Sequence, residues 1–124
     1  MIDKSKIFLI LNYLFLIYIF LLALIFIFQR SLLYFPIKEK ISKFFYENTD
    51  LKIIEINTSD GLILKSLYKK SEININKTLL VFHGNAGHIG HRVKKFKPFI
   101  DKGYGLLLLE YRGYGENEGK PSKL

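Results

Sequence analysis

Twenty-two consecutive residues, Ile7 to Phe28, contain 18 Ile, Leu or Phe side chains; the other four are Asn12, Tyr13, Tyr18 and Ala23. A helix of that length reaches about 33 Å, the thickness of the hydrocarbon core of a bilayer. Each of these apolar side chains contributes up to about −0.3 to −0.6 kcal/mol at the helix centre, so their sum absorbs one Asn placed in the first turns. A core helix of a globular protein would carry a polar stripe, and this run has none. A cleaved signal peptide has a shorter apolar region ending in small residues, whereas Ile25 to Arg30 offers no small-x-small site. Residues 7–28 are therefore expected to form an uncleaved, single-pass anchor behind a short tail of residues 1–6. The lipid bilayer is the first expected partner. Lys4 and Lys6 precede the run, and Arg30, Lys38, Lys40 and Lys43 follow it. That asymmetry is too slight to fix which side the remainder faces.

Fewer than 100 residues remain for a folded domain, which makes its core marginal. The chain has no Cys, which rules out disulfides and thiolate metal sites. Its net charge is +8, and 17 of the 19 basic residues lie after position 28. Apart from the cluster Arg92, Lys94, Lys95 and Lys97 they are scattered. A solvated face or attraction to lipid headgroups accounts for them, and no nucleic-acid partner is expected.

Residues 29–48 read as a juxtamembrane segment. Pro36 stops the preceding helix. Ile37, Ile41, Phe44 and Phe45 then fall at helical spacing among lysines, which suits either a short helix on the membrane surface or an ordinary packed segment. Residues 49–124 read as an α/β domain. Leu51 to Asn57 and Leu62 to Tyr68 alternate apolar and polar residues around Asp60-Gly61, the pattern of a β-hairpin. Ser71 to Lys77 is a polar loop. Thr78 to Phe82 is a continuous apolar run, expected to be a strand buried on both faces. Ile89, Val93, Phe96 and Ile100 form one stripe of a helix over 88–102, which Pro98 should kink and Gly103 should cap. Gly105 to Glu110 reads as another buried strand. The expected fold class is thus an N-terminal transmembrane helix followed by a partial α/β sheet: a β-hairpin plus one β-α-β unit with parallel strands.

The chemistry concentrates where the 78–82 strand ends, at His83-Gly84-Asn85-Ala86-Gly87. A strand that ends in small residues leading into a helix presents backbone N–H groups at the C-terminal edge of a sheet, beside a helix N-terminus. Such a place stabilises negative charge, which in acyl transfer is the oxyanion of a tetrahedral intermediate. Asn85 is the first candidate for the donating N–H and Ala86 the second. His83, Gly84 and Gly87 support the loop. His83, His88 and His91 lack a metal-ligand pattern. The Gly84, Gly87, Gly90 spacing matches no nucleotide fingerprint. No metal or cofactor is expected.

The chain resembles the membrane-anchored α/β hydrolases of the Bem (bud-emergence) type. The likeness runs through Gln29-Arg30-Ser31-Leu32-Leu33-Tyr34-Phe35-Pro36, the Asp60-Gly61 turn, His83 to Gly87 and His91-Arg92. It continues through Tyr111-Arg112-Gly113-Tyr114-Gly115 to Gly119-Lys120-Pro121-Ser122. The resemblance implies an N-terminal anchor and a serine-hydrolase domain whose first β-α unit supplies half of the oxyanion hole. Tyr111, Arg112, Gly113 and Gly115 are then props of the neighbouring loop.

Two departures stand out. Asn117 occupies a place where the family pattern suggests Ser. None of the seven Ser residues (5, 31, 42, 59, 66, 71 and 122) sits in a Gly-x-Ser-x-Gly elbow. The expectation is an N-terminal part of a membrane-anchored serine hydrolase, esterase-, thioesterase- or peptidase-like. It has the oxyanion loop but no nucleophile, acid or base, and is inactive alone. A separately encoded polypeptide carrying the rest is the partner such a chain needs. A small membrane-anchored interaction protein reusing the fold, or an anion-binding module, are the alternatives.

Overall fold

The computed structural model describes residues 3–121, so Ser122 of the Gly119–Ser122 motif lies outside the described residues. The chain divides into two compact units, Met1–Leu33 and Tyr34–Leu124.

The first unit is one helix, α1 (Lys4–Leu33, 30 residues), none of whose side chains is buried. It is long and apolar enough to cross a membrane. The helix outruns the apolar stretch at both ends. At its start, Asp3 accepts from the Ser5 and Lys6 amides through its side chain and carbonyl, acting as a cap. At its end, Gln29, Arg30 and Ser31 are compatible with helix, and the chain turns extended only where Phe35 precedes Pro36.

In the second unit, β1 (Phe35–Pro36) is followed by a 3-10 turn, Lys43–Phe45, capped by the Ser42 side chain. No surface helix forms over 37–45, which corrects the first of the two sequence readings of that segment. Ile41 is buried in the core while Phe44 is 75% exposed, so the apolar residues do not share one face. The hairpin consists of β2 (Lys52–Asn57) and β3 (Ile63–Lys69), paired antiparallel around Gly61, whose φ of +85° needs glycine. Then come β4 (Thr78–Phe82), β5 (Ala86–Gly87), a 3-10 turn at Ile89–Arg92, α2 (Val93–Asp101) and β6 (Gly105–Leu109).

The segment expected as one helix over 88–102 is therefore a 3-10 turn running into a shorter α-helix. The helix continues through Pro98 to Asp101 without splitting. It ends as the sequence suggests: Gly103 has φ +83°, its N–H reaches the Ile100 carbonyl, and the Tyr104 N–H reaches that of Phe99.

The main sheet has the order β2-β3-β6-β4, with β4 and β6 parallel and β3 and β6 antiparallel. One face carries Leu67, Leu79, Val81, Leu106 and Leu108. It packs on Ile89, Val93 and Ile100, with Ile41 and Leu51 joining from the preceding segment. On the other face Leu80 pairs across to Leu107 and Phe82 to Leu109. Leu80 and Phe82 there are 56% and 57% exposed. The expectation that β4 is buried on both faces is thus corrected. It is an edge strand, and its outer edge and one face are uncovered among the described residues.

Candidate active-site cleft

Parallel strands send their C-terminal ends to the same edge, so His83 after β4 and Glu110 after β6 arrive side by side. Both side chains are fully buried, and His83 Nε2 lies 2.6 Å from Glu110 Oε1, a close ion-pair contact rather than an aligned hydrogen bond. On the other side of the ring, His83 Nδ1 is 2.7 Å from the Gly84 carbonyl oxygen. The second Glu110 oxygen accepts from the Ile89 N–H at 3.0 Å. One carboxylate thereby fixes both the turn after β4 and the entry to the following helix. Gly115 (φ +56°) packs against the same carboxylate, and a Cβ there would come within 3.0 Å of it.

The turn itself is held by a strap that sequence reasoning left as a connector. β1 pairs in parallel with β5, Phe35 opposite Ala86 and Pro36 opposite Gly87. The Phe35 N–H donates to the Asn85 carbonyl at 2.8 Å, and the Tyr114 hydroxyl donates to the same oxygen at 2.8 Å. On the far side of the strap the Gly115 N–H donates to the Ile37 carbonyl at 2.9 Å. Three segments distant in sequence, 35–37, 83–87 and 111–115, are stitched into one structure. Gly87 adopts φ +81°, with the His91 ring 3.3 Å from where a Cβ would sit. In a parallel ladder the bonds flank the paired residue, so the Ala86 N–H points away from the strap.

Between these segments lies a cleft of about 430 Å³, lined by Tyr34, Leu64, His83, Gly84, Asn85, Leu109, Glu110, Tyr111, Arg112, Tyr114 and Pro121. Its walls are mainly apolar and aromatic, as ligand clefts are. The His83 ring lies 4.3 Å from that of Tyr111 and 4.9 Å from that of Tyr114. Burial raises the pKa of both tyrosine hydroxyls, so they stay protonated and can donate. Gly84 faces open space where a side chain would project. Asn85 lines the cleft, and Ala86 is exposed but outside its lining.

Arg112 is turned to the hairpin and grips Asp60 with both guanidinium nitrogens, at 2.6 and 3.0 Å. That pairing, with the Thr58 hydroxyl, holds the Asp60 carboxyl down to about 2. The Gly113 N–H donates to the Asn117 and Glu118 carbonyls, closing the loop. Asn117, the departure from the family pattern, is buried. Its amide accepts from the Lys65 N–H at 2.8 Å and donates to the Lys65 carbonyl at 3.2 Å, extending the β3 edge as a strand residue would. No group of side chains among the described residues could hold a metal ion.

The sequence reading named Glu110, Tyr114, Asn117 and the Tyr34–Pro36 segment but missed the contacts by which they hold the site. The available signal for Glu110 was a lone acid ending a run of four leucines, since a charge there must be paired.

No protein-family model matches the chain. Known proteins do. It is 35% identical over 109 residues to the alpha/beta hydrolase domain-containing protein WAV2 of Arabidopsis thaliana, over 82% of this chain and 35% of that protein. Protein bem46 of Schizosaccharomyces pombe is 38% identical over 79 residues, 61% of this chain and 26% of its own length. The chain belongs to the Bem-type α/β hydrolases. A third relative, the lysophosphatidylserine lipase ABHD12 of Danio rerio, is 41% identical over 58 residues, 15% of its length. The chain thus spans about a third or less of these relatives. The fold agrees: an esterase of Pyrococcus furiosus, Pf2001, superposes with a TM-score of 0.54 at 22% identity, over 71% of this chain and 34% of the esterase.

Proposed function

We propose that these 124 residues are the anchor and oxyanion half of a membrane-bound serine hydrolase of the esterase or lipase kind. In this reading α1 is a single-pass anchor, and the His83–Gly87 turn supplies backbone donors to the oxyanion from Asn85 and Ala86. The observation that carries it is the joint placement of that turn and the Tyr111–Gly115 loop at one sheet edge, around an apolar cleft. A strained turn bearing a nucleophilic Ser, an acid and a His would have to come from polypeptide outside these residues. The bare edge of β4 supports this, because an unpaired strand with apolar side chains beside it is where a further strand adds. His83 does not act as the base. Both its ring nitrogens are committed to Glu110 and Gly84, and its side chain is sealed from solvent.

The test is a chimera of the Danio rerio lipase in which residues 78–115 of this chain replace the corresponding segment. The chimera is expected to hydrolyse lysophosphatidylserine. Ala86→Pro and Asn85→Pro each remove one backbone donor without adding charge, and loss of one oxyanion donor lowers kcat by about 10²–10³ with little change in KM. A folded chimera whose kcat is insensitive to both substitutions would sink the assignment.

A further inference from the structure

A second cleft of about 410 Å³ lies away from the first, walled by Phe44, Phe45, His91 and Val93 with Lys94 and Lys97 among its lining. Phe44 stands 75% exposed at the tip of the Lys43–Phe45 turn. Its ring meets the edge of the Phe45 ring, 5.9 Å away. Such exposure has a cost in water. The cations at the groove are Lys94 and Lys97 on α2, with Lys43 on the same turn as Phe44. The nearby acids are Glu47 and Asp101 on or beside those elements, and Glu39, which acts on His88 behind the Phe45 ring. Asp101 is taken up by Lys97 at 2.6 Å, an exposed i,i+4 pair that competes weakly with other anions. Cations surrounding a protruding aromatic make the pattern of a lipid-facing surface, where an aromatic ring sits at headgroup depth and lysines meet phosphates. Ten residues, 34–43, separate Phe44 from the end of α1.

We infer that the Phe44 tip and the α2 lysines form a contact site for an anionic phospholipid surface, independent of the hydrolase site. The occupant is a bilayer rather than an apolar peptide because the groove is rimmed by cations and its most exposed ring stands at the tip of a turn. Each lysine near such a surface contributes about a fivefold preference at moderate salt.

The chain contains no Trp, so the Phe44→Trp variant carries a single indole at the tip without disturbing the core. The full-length variant is reconstituted in phosphatidylcholine vesicles, with or without about one part in three phosphatidylglycerol, and probed with lipids brominated on the acyl chains. With phosphatidylglycerol, emission from the indole at position 44 should shift blue and be quenched several-fold more by brominated lipid than in phosphatidylcholine alone. High salt, or Lys94→Glu with Lys97→Glu, should abolish the difference. A separate Ile73→Trp variant places the indole in the 71–77 loop, where Ile73 is 97% exposed. That indole should remain open to aqueous iodide throughout. Equal iodide quenching of the Phe44→Trp variant in both vesicle types would overturn the inference. So would equal quenching of the two tryptophan variants by brominated lipid, or persistence of the effect when both lysines are replaced by Glu.

Discussion

At the scale of single residues, Glu110 decides most. One oxygen accepts from the Ile89 N–H and the other lies 2.6 Å from His83 Nε2, in a place sealed from solvent. Truncation leaves both partners buried and unpaired, which costs about 3–5 kcal/mol. Glu110→Ala is therefore expected to lose cooperative thermal unfolding by circular dichroism. Glu110→Gln keeps an acceptor for Ile89 and should be the milder of the two; a Glu110→Ala protein that melts like the unaltered chain would contradict the role. His88 sets a pH dependence. It is fully buried, and its Nδ1 accepts from the Gly90 N–H at 3.1 Å, so the ring is neutral with its proton on Nε2. Burial first, then the neighbouring His91, lowers its pKa. The unfolded chain then binds a proton that the folded chain refuses. Stability is complete above about pH 6.5 and falls as pH drops from there toward the depressed folded value. His88→Asn can still cap Gly90 through its side-chain oxygen. Denaturant midpoints measured between neutral and mildly acidic pH should fall less steeply in that variant, and identical slopes would exclude His88 as the source.

Among the elements, β4 carries the clearest liability. Its outer edge is unpaired among the described residues and its Leu80 and Phe82 side chains are more than half exposed, with Phe82 stacked on one side by Tyr111, so the isolated chain should self-associate. Leu80→Lys with Phe82→Lys is expected to raise the monomer fraction in detergent, seen by light scattering, without lowering the melting temperature. Unchanged association would place the sticky surface elsewhere. The hairpin, both parallel strands and the helix cap at Gly103 were legible because each rests on local rules: period two around Asp60-Gly61, short apolar runs, and a glycine after an amphipathic stripe. The Phe35–Pro36 strap was not legible, because it pairs with Asn85 and Gly87, far along the chain, through backbone groups that no side-chain pattern reports. The surface helix, one of two readings offered for 37–45, fails for the same reason. Periodicity placed Ile41 and Phe44 on one face, and tertiary packing took Ile41 into the core and left Phe44 outside. Phe82 and Leu80 looked like core because a continuous apolar run does not report which face of a strand other elements cover.

For the molecule as a whole, an apolar helix is joined to an α/β-hydrolase-like sheet, which the proposed function reads as a half-site. The helix is checked by carbonate extraction and intact mass: the chain should stay with the membrane at full length, whereas a soluble product or one starting near residue 30 would remove the anchor. The half-site rests on what these residues bring to a reaction and what must reach them from elsewhere. His83 and Gly84 were picked out in sequence because a strand ending in small residues is a local signal. The partners of the buried Glu110 and Tyr114, which hold that turn in place, became visible only once the topology set the two strand ends side by side. In the proposed reading this turn stabilises a developing negative charge that a nucleophile outside residues 1–124 creates. The direct measurement is a fluorophosphonate probe applied to residues 1–124 alone and to the lipase chimera, followed by mass mapping of the labelled peptide. No covalent label is expected on the chain alone and, in the chimera, label is expected on a serine from the lipase portion. Covalent modification of any serine within residues 1–124 would contradict the half-site assignment.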